Sequence, residues 1–432
     1  TPSTLGWKPY VRSWLDRDLA AVMHPDQMVA LMERFENCIS AGLKWRKRWA
    51  TEPIASADCQ TARAVCNLFT AQYMRSGLQK EDTGDDVQQI IDKMFGFAFV
   101  WSVGGSIHAS DWDAFDEIQS DILEGINFGR DGAYGSFVYT PNEYAAKSEE
   151  DLFKGEDPGR KGAFRGFSTI VPGFEYVPGT SFFDLVVPTM DTVRFAMLLK
   201  LNYERMAPCF FTGYTGTGKS VVMEASINAW ARPKEEGGEN VLPISTAFSG
   251  QTAAKLVQLT IESKLEKKRK DLLGPPLGMT TVIFVDDVNM PAKEEYGAQP
   301  PIELCRSLLC EGFFYDRDKL FLKNIDNFVM FSAAAPPGGG RADMTQRFTE
   351  HFHMLCMPPS SEQVLQSIFE NILHGFTSKC KFDEQTVSNS PKMVSVTIQI
   401  YNQIAQDLRP TPTKSHYTFN LCDVSKVFQG CM

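Results

Sequence analysis

The sequence predicts an α/β fold: a parallel sheet carrying a P-loop, flanked by helices, with helical domains before and after it. Three features carry that expectation. Gly213 to Ser220 (GYTGTGKS) match G-x-x-x-x-G-K-S and stand between a short apolar run and a helical one. Between residues 184 and 358, short apolar runs alternate with helical stripes. Residues 1–125 and 359–432 show helical stripes alone.

In chain order, Met28, Leu31, Met32, Phe35, Cys38, Ile39 and Leu43 recur at the i, i+3, i+4, i+7 spacing of an amphipathic helix. Ala62, Val65, Cys66, Phe69 and Tyr73 make a second stripe and Ile90 to Trp101 a more buried run. Trp112, Phe115, Ile118 and Ile122 make another, with Ser110 and Asp111 placed to cap it. Residues 126–183, including GEDPGRKG at 155–162, are rich in Gly, Pro and charge and read as a long irregular connection. The expected strands are CFFTG (209–213), NVLPIST (240–246), TTVIFVDD (280–287), FVMFSAAA (328–335) and HMLCMP (353–358). Val364, Leu365, Ile368, Phe369, Ile372 and Leu373, then Met393 to Ile404, form the closing helical domain, expected to be truncated at 432. The first residue is Thr1, with no signal-like region after it, so the chain is expected to be an excerpt from something longer.

Composition bounds the rest. The chain has 432 residues, room for about three domains of ordinary size, and 43% apolar residues to build their cores. A net charge of -10 argues against a nucleic-acid groove, because phosphate contacts need clustered Lys and Arg. Ten cysteines without a CxxC pair suggest neither zinc nor a disulfide framework and fit a reducing compartment. The most apolar run, Phe95 to Val103, is far shorter than the roughly eighteen residues of a spanning helix, so no membrane segment is expected.

The chemistry concentrates around the P-loop. Backbone N–H groups of Gly213, Tyr214, Thr215, Gly216, Thr217 and Gly218 are placed to cradle phosphates, Lys219 to reach the outer phosphate oxygens, and Ser220 to ligate Mg²⁺. Further on, Val282 to Val285 form a buried strand ending in Asp286 and Asp287. Asp286 is the expected Mg²⁺ ligand and Asp287 a weak candidate base for an attacking water. The open alternative is a scaffold that keeps the fold and has lost the ligand. Arg347 opens a polar helical turn before the last strand; spacing alone favours a surface arginine over an arginine finger. His351 and His353 do not align as metal ligands. The basic run KLEKKRK (264–270) reads as a solvated helix end.

GYTGTGKS, SKLEKKRKDLLGPPLG (263–278), FVDDVNMPAKEEYGAQPPIEL (284–304) and APPGGGR (335–341) resemble the third AAA+ module of dynein heavy chains, with wording closest to the axonemal, single-headed inner-arm type. LGWKPYVRSWL (5–15) and FVWSVGG (99–105) look like the helical lid ending the second module, and HYTFNLCDVSKVFQG (416–430) like the end of the third module's own lid. VPTMDTVR (187–194) is similar to the segment lining the adenine pocket, which implicates Val187, Pro188 and Thr189.

The resemblance implies a P-loop AAA+ module bracketed by lids in a six-module ring, with ATP or ADP and Mg²⁺ as ligands. It implies a regulatory site that gates signals between linker and stalk, in a cytoplasmic, ciliary or flagellar axonemal motor. The implied partners are neighbouring AAA+ modules of the same heavy chain, a microtubule through a stalk absent here, and light and intermediate chains. Arg347 falls on the family's arginine finger, serving the preceding module's nucleotide. The departures point to slow or absent hydrolysis: Asp287 where many relatives carry Glu, Ala335 near a sensor position that is often Asn, Cys422 where the lid often presents Arg, and Glu350 where a basic residue is common. The competing readings are an autonomous AAA+ remodelling ATPase, for which no pore-loop aromatic beside Gly stands out between Ser249 and Gly278, and a structural ring segment with an empty site.

Overall fold

A computed structural model describes residues 6–139, 163–182, 185–338, 340–380, 382–408, 419 and 421–432. The run at 155–162 and residues 416–418 and 420 of the lid segment lie outside them.

The chain begins with α1 (Trp7–Trp14), α2 (Pro25–Trp49), α3 (Asp58–Ser76), α4 (Asp85–Val103) and α5 (Trp112–Ile122). Helix α2 starts where His24 Nδ1 accepts from Asp26 N, with Pro25 in the first turn, and it buries Leu31, Phe35, Cys38, Ile39 and Leu43. Asp111 does not cap α5: its Oδ2 accepts from Thr51 N at 2.7 Å, and the His108 side chain takes the capping role one turn earlier. In α4, every residue from Met94 to Val103 is buried.

Residues 126–183, expected to be irregular, carry α6 (Gly132–Gly135) and an antiparallel pair of β1 (Ser136–Val138) and β2 (Phe164–Gly166). Three-residue strands give no readable period, but Phe137 and Phe167 are buried in the main core and their rings lie 5.1 Å apart.

There follow α7 (Met190–Glu204), β3 (Cys209–Thr212), α8 (Lys219–Trp230), β4 (Val241–Ala247) and α9 (Ala254–Lys264). Next come β5 (Glu266–Arg269), β6 (Leu272–Gly274), β7 (Thr280–Asp286), α10 (Pro300–Glu311), β8 (Phe313–Tyr315), β9 (Leu322–Ile325) and β10 (Phe328–Ala334). The last elements are α11 (Gln346–Thr349), β11 (His353–Cys356), α12 (Glu362–Lys379), α13 (Glu384–Asp407) and α14 (Leu421–Cys431). The main sheet has the order β11-β3-β10-β7-β4, with every pairing parallel. The central strands β3, β7 and β10 are buried on both faces, as a parallel sheet covered by helices requires, while the edge strand β4 is partly exposed.

A second sheet, β5-β6-β9-β8, escaped the sequence reading. The basic run is not a helix end: α9 stops at Lys264 and Glu266–Arg269 pair antiparallel with β6. All four β5 residues are exposed, so no apolar alternation marks the strand, and its charges blunt further pairing at that edge.

One face of the main sheet joins the amino-terminal helices in a single core. Cys209, Phe211, Val282, Phe284 and Phe331 belong to it, while the intervening Phe210, Ile283 and Met330 face the opposite cluster. Trp101 of α4 packs edge-on against Phe195 of α7 at 5.8 Å, and Phe195 against Phe211 at 5.5 Å. Arg194 stacks 4.8 Å over Trp112 and pairs with Asp191. His353 is buried and neutral: Nε2 donates to Trp101 O at 3.0 Å, Nδ1 accepts from Asn202, and burial pushes its pKa down to about 4. The closing helices have a separate small core of Phe369, Leu373, Val394, Ile398, Val424 and Phe428.

Gly105 lies where the two parts meet. Its carbonyl accepts from Cys356 N at 2.6 Å, and a Cβ on it would lie 2.0 Å from Trp101 O and 2.8 Å from Leu355 Cδ2. Gly105→Ala is expected to destabilise the fold by about 1–3 kcal/mol or more, read as a shifted denaturant midpoint.

Candidate nucleotide site

In a parallel sheet all carboxyl ends lie on one edge, and ligands bind outside that edge. Here the edge gathers the P-loop after β3, Asp286 and Asp287 after β7, and the loop from Ala335 after β10. These surround a cavity of about 450 Å³ whose far wall comes from α12 and α14.

Thr215, Gly216, Thr217, Gly218, Lys219 and Ser220 line it, with Val187, Thr189, Asp286, Asp287, Ala335 and Cys422. Gly213, Tyr214 and Pro188 do not. Gly213 has φ +142 and its Cβ would stand 2.7 Å from Met357 O, so only glycine fits where the loop leaves β3. Helix α8 begins at Lys219, so its free N–H groups and positive dipole end face the cavity. Tyr214 is exposed, its ring edge-on to His108 at 5.5 Å.

Lys219 is buried, and its Nζ donates to Gly213 O at 2.8 Å and Tyr214 O at 2.7 Å. Burial pushes its pKa down to about 8, against the pull of Asp286 and Asp287. To hold a phosphate, the ammonium exchanges these carbonyls for charged oxygens, a stronger hydrogen bond.

Asp286 Oδ1 accepts from Asp287 N at 2.9 Å. Asp287 sits at φ +47, a left-handed conformation that a non-glycine residue holds at a cost of order 1–3 kcal/mol. Burial, then the neighbouring Asp286, raises the Asp287 pKa. Ala335 has no polar side chain, and its carbonyl accepts from Asn289 Nδ2 at 2.8 Å.

Arg347 is exposed on α11, ahead of β11, and therefore at the opposite edge of the sheet from the P-loop. It takes no part in this cavity. Glu350 is also exposed there, its carbonyl accepting from Arg63. No group of three or more potential metal ligands among His, Cys, Asp and Glu is found among the described residues.

The sequence reading missed the apolar wall and one cation. Leu185, Val186, Leu365, Ile368, Phe369 and Ile372 line the cavity opposite the P-loop. Their signal was present as ordinary helical or extended apolar spacing, which does not distinguish a ligand wall from a core. Arg341 also lines the cavity, and its Nη2 lies 3.4 Å from Thr215 Oγ1. It ends the APPGGGR run, to which no role attached.

The residues fit a magnesium nucleotide. A buried lysine at a helix amino terminus, a hydroxyl at Ser220 and a carboxylate at Asp286 suit phosphates and a hard cation, and the apolar wall suits a base.

Family models match in three places: the P-loop containing dynein motor region at 174–360, the dynein heavy chain AAA lid domain at 31–148, and the AAA+ lid domain at 393–432. Dynein axonemal heavy chain 6 of Homo sapiens is 35% identical over 432 residues, which is 100% of this chain and 10% of that protein. Dynein axonemal heavy chain 1 of Mus musculus is 34% identical over 458 residues, covering 100% of this chain and 10% of the relative. Dynein axonemal heavy chain 12 of Rattus norvegicus is 31% identical over 458 residues, covering 100% and 14%. The chain thus spans 10% of the length of the first two relatives and 14% of the third.

Because only the protonated Lys219 attracts phosphate, nucleotide affinity is expected to hold below about pH 8 and to weaken as pH rises above it. Titrations of nucleotide binding at about pH 7 and about pH 9 check this, and Lys219→Arg, which does not titrate there, should flatten the dependence.

Proposed function

This chain is homologous over its whole length to axonemal dynein heavy chains, and from that premise we propose that it forms a regulatory ATP- or ADP-binding AAA+ module of a ciliary or flagellar motor ring, slow or inactive in hydrolysis. The observation carrying the proposal is the shared cavity. Its phosphate end belongs to the large α/β domain, and its apolar wall combines Leu185 and Val186 of that domain with residues of α12 and α14, so one ligand touches both. Bound nucleotide biases the lid's position only by its differential affinity for the two arrangements, which is what a regulatory site requires.

The side chains support binding more than turnover. Asp287 is one methylene shorter than glutamate, and a positioning error of about 1 Å can cost on the order of a hundredfold in rate. Ala335 has no side-chain hydrogen bond to offer, and Cys422, which by the resemblance falls where the lid often presents Arg, lines the cavity. Magnesium, held by Ser220 and Asp286, supplies charge neutralisation to the phosphates when bound.

The same proposal makes Arg347 the finger for the preceding module's nucleotide, which suits its exposure at the opposite edge of the sheet. Neighbouring modules of the same heavy chain are the direct partners. The microtubule acts through a stalk outside this segment, and light and intermediate chains attach elsewhere. The location is the axoneme, and the GAQPPIEL and PPGGGR wording supports an inner-arm, single-headed chain.

The test is Lys219→Ala in the intact motor ring. Bound nucleotide should fall by one per ring, while basal hydrolysis persists and loses its regulation by microtubules. Unchanged occupancy and motility would make the site a structural relic. In the same ring, Asp287→Glu should raise turnover at this module by about tenfold or more if side-chain reach limits the base. A fall in turnover would show Asp287 to be a competent base already.

A further inference from the structure

We infer that Arg341 distinguishes a nucleoside triphosphate from a diphosphate at this cavity, by donating to the terminal phosphate from within the same module. The inference rests on nucleotide binding at the P-loop, as proposed above.

Strand order places the arginine. Because β10 pairs between β3 and β7, the loop that follows it emerges between the P-loop and Asp286. The P-loop backbone serves the inner phosphates and its lysine the outer ones, so the third phosphate belongs on the Asp286 side of Lys219. Arg341 occupies that side. Its Nη2 lies 3.4 Å from Thr215 Oγ1, and its charge acts on both Lys219 and Asp287.

The loop is held so that the guanidinium stays there. Asn289 Nδ2 donates to Ala335 O at 2.8 Å, and Asn289 O accepts from Ala342 N at 3.0 Å, which ties both ends of the loop to the segment after β7. Gly338 and Arg341 exchange backbone hydrogen bonds of 3.2 and 3.1 Å, closing a tight turn. Gly338 at φ +121 and Gly340 at φ +90 supply conformations that side chains resist.

The guanidinium has donors to spare. Arg341 Nε is buried and has no hydrogen-bond partner among the described residues. Buried donors without partners are rare in folded proteins, and a guanidinium suits planar, paired recognition of phosphate oxygens. Charge leads to the same assignment. Among the described residues lining the cavity, the cations are Lys219 and Arg341, facing the Asp286 and Asp287 carboxylates. Without Arg341 the protein would present one positive charge fewer to the extra charge of a triphosphate, whether or not magnesium is bound.

The test uses the intact heavy-chain motor. Photolabelling with 8-azido-ADP, mapped to peptides of this module, is displaced either by ADP or by AMP-PNP. Arg341→Gln is expected to weaken displacement by AMP-PNP roughly ten- to a hundredfold while leaving ADP within about twofold, with Arg341→Lys recovering part of the loss. Equal weakening of both ligands, or no change in either, would overturn the inference. Lys219→Ala separates it from the reading beneath it. Abolished labelling there, beside an unaffected Arg341→Gln, removes only the role of Arg341. Labelling that survives Lys219→Ala removes nucleotide binding at the P-loop and the inference together.

Discussion

The parallel pairing of β10 between β3 and β7 is the constraint on which the site depends. It brings the loop after Thr212, the carboxylate at Asp286 and the turn ending at Arg341 to one edge, although they are far apart in sequence. Parallel ladders make this automatic, because every strand ends on the same side. The register also matters. Ala334 stands beside Thr212 and Val285 beside Ser332, so the three loops leave the sheet close together and form a cavity rather than a flat rim.

The amino-terminal helices are packed too deeply into this sheet to act as a loose appendage. Trp101, Gly105 and His353 exchange backbone, ring and imidazole contacts across the boundary, and Gln60 Nε2 donates to Thr349 O and Phe352 O. Arg194 extends that junction toward the cavity, because its partner Asp191 is itself part of the lining. The closing helices have their own small core and meet the sheet across the ligand cavity. On the proposed function, a nucleotide in this cavity would act on the boundary with the closing helices more than on the boundary with the amino-terminal ones.

On the proposed function, Asp287, Ala335 and Cys422 lack parts that a hydrolytic site uses, while Lys219, Ser220 and Asp286 keep those that binding uses; all six line the cavity. Binding needs charge complementarity and a shaped wall. Hydrolysis also needs a water held to within a fraction of an ångström, and Asp287 is a short carboxylate on a left-handed backbone.

By itself the sequence determined the α/β class, the five strands of the main sheet and the P-loop. A buried strand followed by glycines, lysine and serine is a local pattern with a local cause. Short or exposed pieces were illegible for the same reason: β1 and β2 have three residues each, and β5 buries none of its four, so period-two alternation could not appear. Asp286 was readable because it ends a buried run, whereas Arg341 follows glycines and prolines that carry no period. Only the tertiary structure decided that Arg341 and the α12 residues share a cavity with the P-loop and that Arg347 does not. Which side chains meet across a sheet edge depends on strand order and long-range pairing, and no window of adjacent residues contains that information.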